Sequence, residues 1–241
     1  MLGELRMWNK LSLKNKVIFF SVLSIVSAVF IFNGEIKNKR YISDNNTKKI
    51  EGADNKAILK SDKESSKIDK QDDEEKDKQN KELEQIYQKA YKAFFDNKYT
   101  ESINLANEII KKDSKHYKSY NIKGIALAYS GSLEEGMKNI NKALEISPNY
   151  GYALFNKALT YELYDKYDEA LKWYDKNLEV ENYIWSYYGK ASIYGRKGDV
   201  KNTVKYLKIA IEMDKVVKEE ARVERDFDNV RQSKEFQELI K

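Results

Sequence analysis

Few residues of this sequence have the types and spacing that catalysis requires. The chain has one histidine, His116, and no cysteine, so thiol catalysis, cysteine metal sites and disulfides are excluded. The carboxylates Asp165, Asp168 and Glu169 follow helical spacing, which is typical of a turn and a solvated helix surface. Neither a glycine-rich phosphate loop, nor a nucleophile elbow, nor a paired metal-ligand motif is found. We therefore expect no catalytic site, no metal and no cofactor, and a chain that binds rather than an enzyme.

The composition narrows the class of partner. The 241 residues include 18 tyrosines, and the 44 basic and 39 acidic residues are interspersed, for a net charge of +5. No basic block is long enough for a nucleic-acid footprint, so we expect no nucleic acid among the partners. A single proline predicts long helices with few interruptions.

An uncharged segment near the start of the chain is a candidate membrane span. Residues 17–32 contain apolar side chains and three serines, and as a helix they would cover about 24 Å of a hydrocarbon core of about 30 Å. We expect a single transmembrane signal-anchor here, after a short cytoplasmic tail at 1–16. A cleaved signal peptide, with its cleavage motif ending at Ala28, is the alternative. Lys14 and Lys16 favour a cytoplasmic tail, which places the C-terminal domain outside the cytoplasm in a single-pass protein of the cell membrane.

A charged segment precedes the helices that could position binding residues. Residues 33–80 are polar and low in complexity, and we expect a flexible stalk whose C-terminal part can be helical. Beyond it, from about Leu83, the helical apolar periodicity repeats at intervals of 34, 34 and then 33 residues. The predicted units are 83–116, 117–150, 151–183 and 184–217, each a helix, a tight turn and a second helix.

Two columns of small residues mark where the helices of each pair should cross. The eighth place of the units holds Ala90, Gly124, Ala158 and Ala191, and the twentieth holds Ser102, Gly136, Ala170 and Thr203. With the stretches YNIKGIALAYSGSLEEGMKNINKALEISPNY, which contains Pro148, and ALFNKALTYELYDKYDEALKWYDKNLEV, these columns make the chain resemble tetratricopeptide repeat proteins of a membrane-anchored, bacterial type. The resemblance implies an all-α, right-handed superhelical solenoid of four helix pairs over 83–213. Capping helices are expected at 216–241.

The resemblance also implies a binding surface. In such folds the first helices of successive units line a concave groove, and the groove-facing columns here are rich in aromatic and amide side chains. The predicted ligand-binding residues are Tyr87, Tyr91, Asn121, Tyr129, Tyr152, Asn156, Trp185 and Tyr188. Tyrosine offers a large contact area and a hydroxyl, while the asparagines could hold an extended peptide backbone. Alternatively, some of these aromatics fill space between helices.

The resemblance also bears on whether the C-terminal carboxylate of a peptide ligand would be recognised. The family's clamp for a C-terminal carboxylate uses lysine, arginine and asparagine, and the corresponding lysine and arginine places hold Tyr87, Tyr152 and Asn156. We therefore expect a membrane-tethered scaffold that binds a protein or peptide in an aromatic groove without that clamp. The alternatives are a structural, self-associating envelope protein or an accessory subunit of a membrane complex.

Overall fold

The computed structural model describes the backbone of residues 58–241 and the side chains from residue 75 onward. The predicted tail at 1–16, the predicted span at 17–32 and the start of the predicted stalk lie outside the described residues. Within residues 58–241, none of the helices has the length and apolar character needed to cross a membrane.

The described chain consists of helices joined by short turns, and residues 58–241 contain no strand. Residues 86–241 belong to one compact unit, and residues 58–85 of the first helix belong to another. The helices are α1 Ile58–Phe95, α2 Tyr99–Lys112, α3 Tyr117–Tyr129, α4 Leu133–Ile146, α5 Gly151–Leu163, α6 Tyr167–Val180, α7 Ile184–Arg196, α8 Val200–Met213, α9 Val216–Val223 and α10 Lys234–Ile240, with a 3-10 turn at Arg225–Phe227.

The all-α array of helix pairs predicted from the sequence is confirmed. Three first helices begin at the residues that open the predicted units, Tyr117, Gly151 and Ile184. Each of these helices packs on the second helix of its own unit and on the second helix of the unit before it. The first helices α3, α5 and α7 also contact one another in sequence. The first helices therefore form a continuous side of the array.

The small residues of the two predicted columns allow close crossing of a helix pair. A methyl group on Gly124 would lie 2.7 Å from the carbonyl oxygen of Gly136, and one on Gly136 would lie 2.7 Å from the carbonyl oxygen of Gly124. Both distances are far below van der Waals contact, so α3 and α4 meet backbone to backbone. The equivalent residues Ala158 and Ala170 of the next unit are fully buried.

Every turn within a unit places one residue in the left-handed region of backbone space. These residues are Asn97, Gly131, Asp165 and Gly198, with φ between 58° and 98°, and they occupy the same place in the four units. Glycine, asparagine and aspartate adopt this conformation at least cost. The turn residue with positive φ therefore recurs at the same place in each repeat.

The C-terminal segment packs on the last helix pair. The 3-10 turn contacts α7, and α9 and α10 contact α8. Phe227 and Phe236 are fully buried, with ring centroids 5.3 Å apart. The segment predicted as a cap thus covers the apolar face that the fourth unit would otherwise expose.

Candidate functional site

All eight predicted site residues lie on first helices, yet most of them are buried. Tyr87, Tyr91, Asn121, Asn156, Trp185 and Tyr188 expose between 0% and 7% of their surface, whereas Tyr129 and Tyr152 are partly exposed. Their role in binding stays a prediction. The structure does show the contacts that each of them makes.

The first set of contacts is a run of aromatic rings that crosses from α1 to α5. Tyr87 and Tyr91 lie 6.2 Å apart, and Tyr91 lies 6.3 Å from Tyr152, which belongs to the third unit. Tyr152 in turn stacks on Phe155 at 6.5 Å. Side chains from the first and third units therefore meet on the side of the array formed by the first helices.

Residues that precede the first helices extend this run, and the predicted groove columns do not include them. Tyr150 packs edge-on against Tyr117 at 4.8 Å and contacts Tyr152 at 6.3 Å. Tyr183 packs edge-on against Phe155 at 5.0 Å. The columns taken from the resemblance cover helix interiors only, so side chains at the unit boundaries were missed. Their shared position just before or at a helix start was the signal that could have found them.

The phenols of this run keep their protons. Burial raises the pKa of Tyr152 well above its ordinary value, and the neighbouring phenols of Tyr91 and Tyr87 add to the effect. Burial likewise raises the pKa of Tyr183. These hydroxyls therefore act as neutral hydrogen-bond donors and acceptors.

The second set of contacts is made by a buried pair of amides between α3 and α5. Asn156 donates from Nδ2 to Oδ1 of Asn121 at 3.2 Å, and both side chains are buried. Within residues 75–241, Nδ2 of Asn121 is buried without a hydrogen-bond partner. Leaving a buried donor without an acceptor costs roughly 1–3 kcal/mol of folding free energy. The Nδ2 group of Asn121 is therefore available to a ligand that brings an acceptor to it.

The other three predicted residues, Tyr129, Trp185 and Tyr188, lie in two further places. Tyr129 packs against Phe94 at 5.4 Å and Tyr99 at 5.8 Å, between the helices of the first two units. Tyr188 lies 5.7 Å from Trp185 and 5.7 Å from Phe227 of the C-terminal segment. For these residues the space-filling alternative describes the contacts that the structure shows.

A buried polar cluster lies beside α7, and no motif or column of the sequence pointed to it. Tyr174 donates to Oε2 of Glu162 at 2.6 Å, and Nη2 of Arg196 lies 3.4 Å from Oε1 of the same carboxylate. Arg196 also donates from Nε and Nη2 to Asp226 at 2.7 and 2.9 Å. Ser192 donates to Asp226 as well. One guanidinium thus joins the third unit, the fourth unit and the C-terminal segment.

The ionisation of this cluster depends on its burial. Burial raises the pKa of the Glu162 carboxyl to about 7, although Arg196 and the hydrogen bond from Tyr174 oppose the shift. Asp226 holds Arg196 in its charged form and raises the pKa of the guanidinium further, although burial opposes this. Among residues 75–241, no three acidic or histidine side chains are placed to share a metal ion. The hydrogen bonds of this cluster join α5 to α6 and α7 to the 3-10 turn.

Comparison with known proteins identifies the helix pairs. Two models of the tetratricopeptide repeat match this chain, one over residues 117–150 and 186–216 and the other over residues 139–172. A thermophilic tetratricopeptide protein of Thermus thermophilus superposes with a TM-score of 0.54 at 16% identity, over 61% of this chain and 81% of that one. At this identity the likeness concerns the fold alone.

Several relatives match in sequence, and two of them illustrate the range. An uncharacterised protein of Methanocaldococcus jannaschii is 36% identical over 78 residues, which are 32% of this chain and 86% of that protein. Hsp70-Hsp90 organizing protein 3 of Arabidopsis thaliana is 23% identical over 125 residues, or 52% of this chain, and the match spans only 22% of that relative. The repeat models match residues of the helix pairs described above, and the chain belongs to the tetratricopeptide repeat family.

Proposed function

We propose that this chain is a non-enzymatic scaffold that binds a peptide or protein along its first helices and is held at a membrane by residues 17–32. The aromatic run that joins Tyr91 of α1 to Tyr152 of α5 is the observation that carries the binding half of the proposal. Aromatic side chains give large contact area with few rotatable bonds, and they dominate the energetics of protein interfaces.

Tyr152 is the central residue of the proposed surface. It is partly exposed, whereas Tyr87 and Tyr91 behind it are buried. A ligand that contacts the Tyr152 ring would meet a rigid residue, because Phe155 stacks on one side of it and Tyr150 packs edge-on against it. Pre-ordered side chains lower the entropy lost on binding.

The side chains of this surface favour a ligand that binds through apolar contacts and hydrogen bonds between uncharged groups. Where a carboxylate clamp would need cations, this chain has Tyr87, Tyr152 and Asn156. The name of the Arabidopsis relative describes a protein that organizes Hsp70 and Hsp90, and we propose an analogous gathering of proteins here. We propose that the partner is held by an internal segment and not by its C-terminal carboxylate.

The binding surface is tested by site-specific photo-crosslinking in the full-length chain. A benzophenone amino acid replaces Tyr152 in one variant and Tyr161 in the control. These positions lie nine residues apart on the helix α5 and so point to opposite faces. We expect a crosslinked partner from position 152 that is absent from position 161. Equal crosslinking from both positions, or none from position 152, contradicts the proposed surface.

The membrane half of the proposal is tested separately by a reporter fused after Lys241 that is active only outside the cytoplasm. Activity in the membrane fraction agrees with an anchored, outward-facing domain. Activity in a soluble exported fraction indicates cleavage of the N-terminal segment, and an inactive membrane-bound fusion reverses the orientation. Because this outcome does not depend on Tyr152, the two halves can fail independently.

A further inference from the structure

Four partly exposed tyrosines lie at or just before the starts of first helices. They are Tyr117 in α3, Tyr150 just before α5, Tyr152 in α5 and Tyr183 just before α7. We call these four residues the tyrosine row. They come from the second, third and fourth units, so a ligand that contacts the whole row spans three units.

The rings of the tyrosine row are joined into one surface. Tyr150 packs edge-on against Tyr117 at 4.8 Å and against Tyr152 at 6.3 Å. The buried ring of Phe155 connects the other two, since it lies 6.5 Å from Tyr152 and 5.0 Å from Tyr183. Each ring is held by another ring, so the row is an aromatic surface whose side chains are ordered before a ligand arrives.

A donor without a partner lies one helical turn from this row. Asn121 follows Tyr117 by four residues on α3, and Asn156 follows Tyr152 by four residues on α5. Each amide therefore lies on the same helix face as its tyrosine. Oδ1 of Asn121 accepts from Nδ2 of Asn156 at 3.2 Å, whereas Nδ2 of Asn121 is buried and has no partner within residues 75–241. What this place lacks is an acceptor.

The hydroxyls of the row add further donors. Burial first, and then the phenols around it, raise the pKa of Tyr152 well above its ordinary value. The pKa of Tyr183 is raised for the same first reason. A neutral phenol can donate a hydrogen bond, whereas a phenolate can only accept one. These two residues therefore keep their donors at neutral and at moderately alkaline pH.

We propose that the tyrosine row binds a proline-rich segment of the partner in the polyproline II conformation, an inference that rests on the peptide-binding function proposed above. Proline has no backbone N–H, and a polyproline II helix has no internal hydrogen bonds, so its carbonyl groups are acceptors in need of donors. Those acceptors match the phenols of the row and Nδ2 of Asn121. Proline-rich segments dock on aromatic-lined grooves, and their preformed conformation lowers the entropy lost on binding.

The segment belongs to another protein and not to this chain. The 241 residues contain a single proline, Pro148, which lies in the turn before α5. An acidic segment or a C-terminal carboxylate would require cations in the row, and its four members are phenols. An uncharged, proline-rich segment is the peptide whose groups match these side chains.

The probe is decaproline with an acetylated and an amidated end, titrated into the full-length chain at pH 7 by isothermal titration calorimetry. The control ligand is a capped peptide of five glycine-serine pairs, which is equally uncharged but flexible. We expect decaproline alone to bind, and Tyr152→Leu to raise its Kd on the order of five- to tenfold because one aromatic contact is lost. Tyr161→Leu, on the opposite face of α5, should keep the wild-type Kd.

Tyr117→Leu is a second variant of the row, because the ring of Tyr152 also supports Phe155. It removes a ring from α3 and should likewise raise the Kd several-fold, with a thermal unfolding curve like that of the wild type. The proposal is overturned if decaproline does not bind the wild-type chain or if both variants bind it as tightly as the wild type does. Equal affinity for the glycine-serine peptide would overturn it as well.

Competition separates failure of this proposal from failure of the proposed function. In the photo-crosslinking experiment at position 152, an excess of decaproline should suppress the crosslinked partner. A partner that still crosslinks in the presence of decaproline would uphold the binding surface and overturn the proline-rich class of ligand. The absence of any crosslink from position 152 contradicts the proposed function itself.

Discussion

Glu162 is a carboxyl group surrounded by charged and polar side chains from several elements. Tyr174 faces it from α6, Ser192 and Arg196 face it from α7, and Asp226 faces it from the 3-10 turn. Asp226 carries the opposite effect to Arg196, because its negative charge disfavours ionisation of Glu162. Burial decides the balance, and the pKa rises to about 7.

This raised pKa predicts that stability falls as the pH rises. The folded chain binds more protons than the unfolded chain between the ordinary pKa of 4.5 and the raised value of about 7. Relative to Glu162→Gln, the wild-type free energy of unfolding should therefore decrease by up to about 3 kcal/mol from pH 5 to pH 8. Urea unfolding of both proteins at several pH values measures the difference.

Asp168→Asn provides the matched control for that series. A hydrogen bond from Lys197 lowers the pKa of the Asp168 carboxyl, so this group is ionised in both states from pH 5 to pH 8. The variant should keep the wild-type slope over this range. If the free energy of unfolding of Glu162→Gln falls with pH as steeply as that of the wild type, the pH dependence belongs to another group.

At the scale of elements, the crossing of α3 over α4 sets the geometry of the second unit. Gly124→Ala would place a methyl group 2.6 Å from Cγ1 of Ile140 and 2.7 Å from the Gly136 carbonyl oxygen. Because the backbone of α4 would have to move, we expect a loss of about 1–3 kcal/mol or more in the free energy of unfolding. Urea unfolding of the full-length chain measures it.

Gly131→Asn is the control for the crossing, since it changes a glycine where there is open space. Nothing lies within 4 Å of a methyl group at this turn residue, whose φ is 98°. The equivalent turn of the first unit already uses Asn97, with φ 59°. We expect a cost within about 1 kcal/mol, because asparagine tolerates the left-handed region. If Gly131→Asn were as costly as Gly124→Ala, close helix approach would not explain the loss.

Elements were the level at which the sequence was most informative. The period alone placed the starts of α3, α5 and α7 at Tyr117, Gly151 and Ile184, because packing between similar units demands the same register. The small columns at Gly124 and Gly136 likewise predicted a crossing that the structure contains. Features that recur in every unit can be read from one chain, because four copies reveal the shared constraint.

Non-repeating contacts could not be read in that way. Glu162, Arg196 and Asp226 lie 30 or more residues apart and occur once, so no period points to them. The site columns also did not predict that Tyr129 packs on Phe94 or that Tyr188 packs on Phe227. Whether an aromatic side chain lines a surface or fills a gap depends on which side chains of other units pack against it. The position of a residue within its own unit does not determine those contacts.

At the scale of the whole molecule, a repeat array passes stability from neighbour to neighbour. Phe236 of α10 is fully buried and contacts Phe227 beside the fourth unit. In such arrays each unit gains stability from adjacent interfaces, so a loss at the cap acts first on the units next to it. We predict that Phe236→Ala accelerates hydrogen exchange in α7 and α8 more than in α3 and α4, as measured by mass spectrometry.

Gln237→Ala tests whether the effect comes from the buried ring. Gln237 is exposed on the same short helix, so its removal should leave exchange in α7 and α8 at the wild-type rate. Equal acceleration in all helices of Phe236→Ala would instead mean that residues 86–241 unfold as one cooperative unit.

The raised pKa values of the buried tyrosines affect the near-ultraviolet absorbance of the protein. Burial raises the pKa of Tyr129, Tyr174 and Tyr188, as it does for Tyr152 and Tyr183. Phenolate absorbs at longer wavelength than phenol, so in alkaline solution these rings stay spectrally silent while folded. Near-ultraviolet absorbance from these five phenols should then rise together as the helices separate. Tyrosine absorbance in alkaline solution thus reports whether the helices are packed, without an added label.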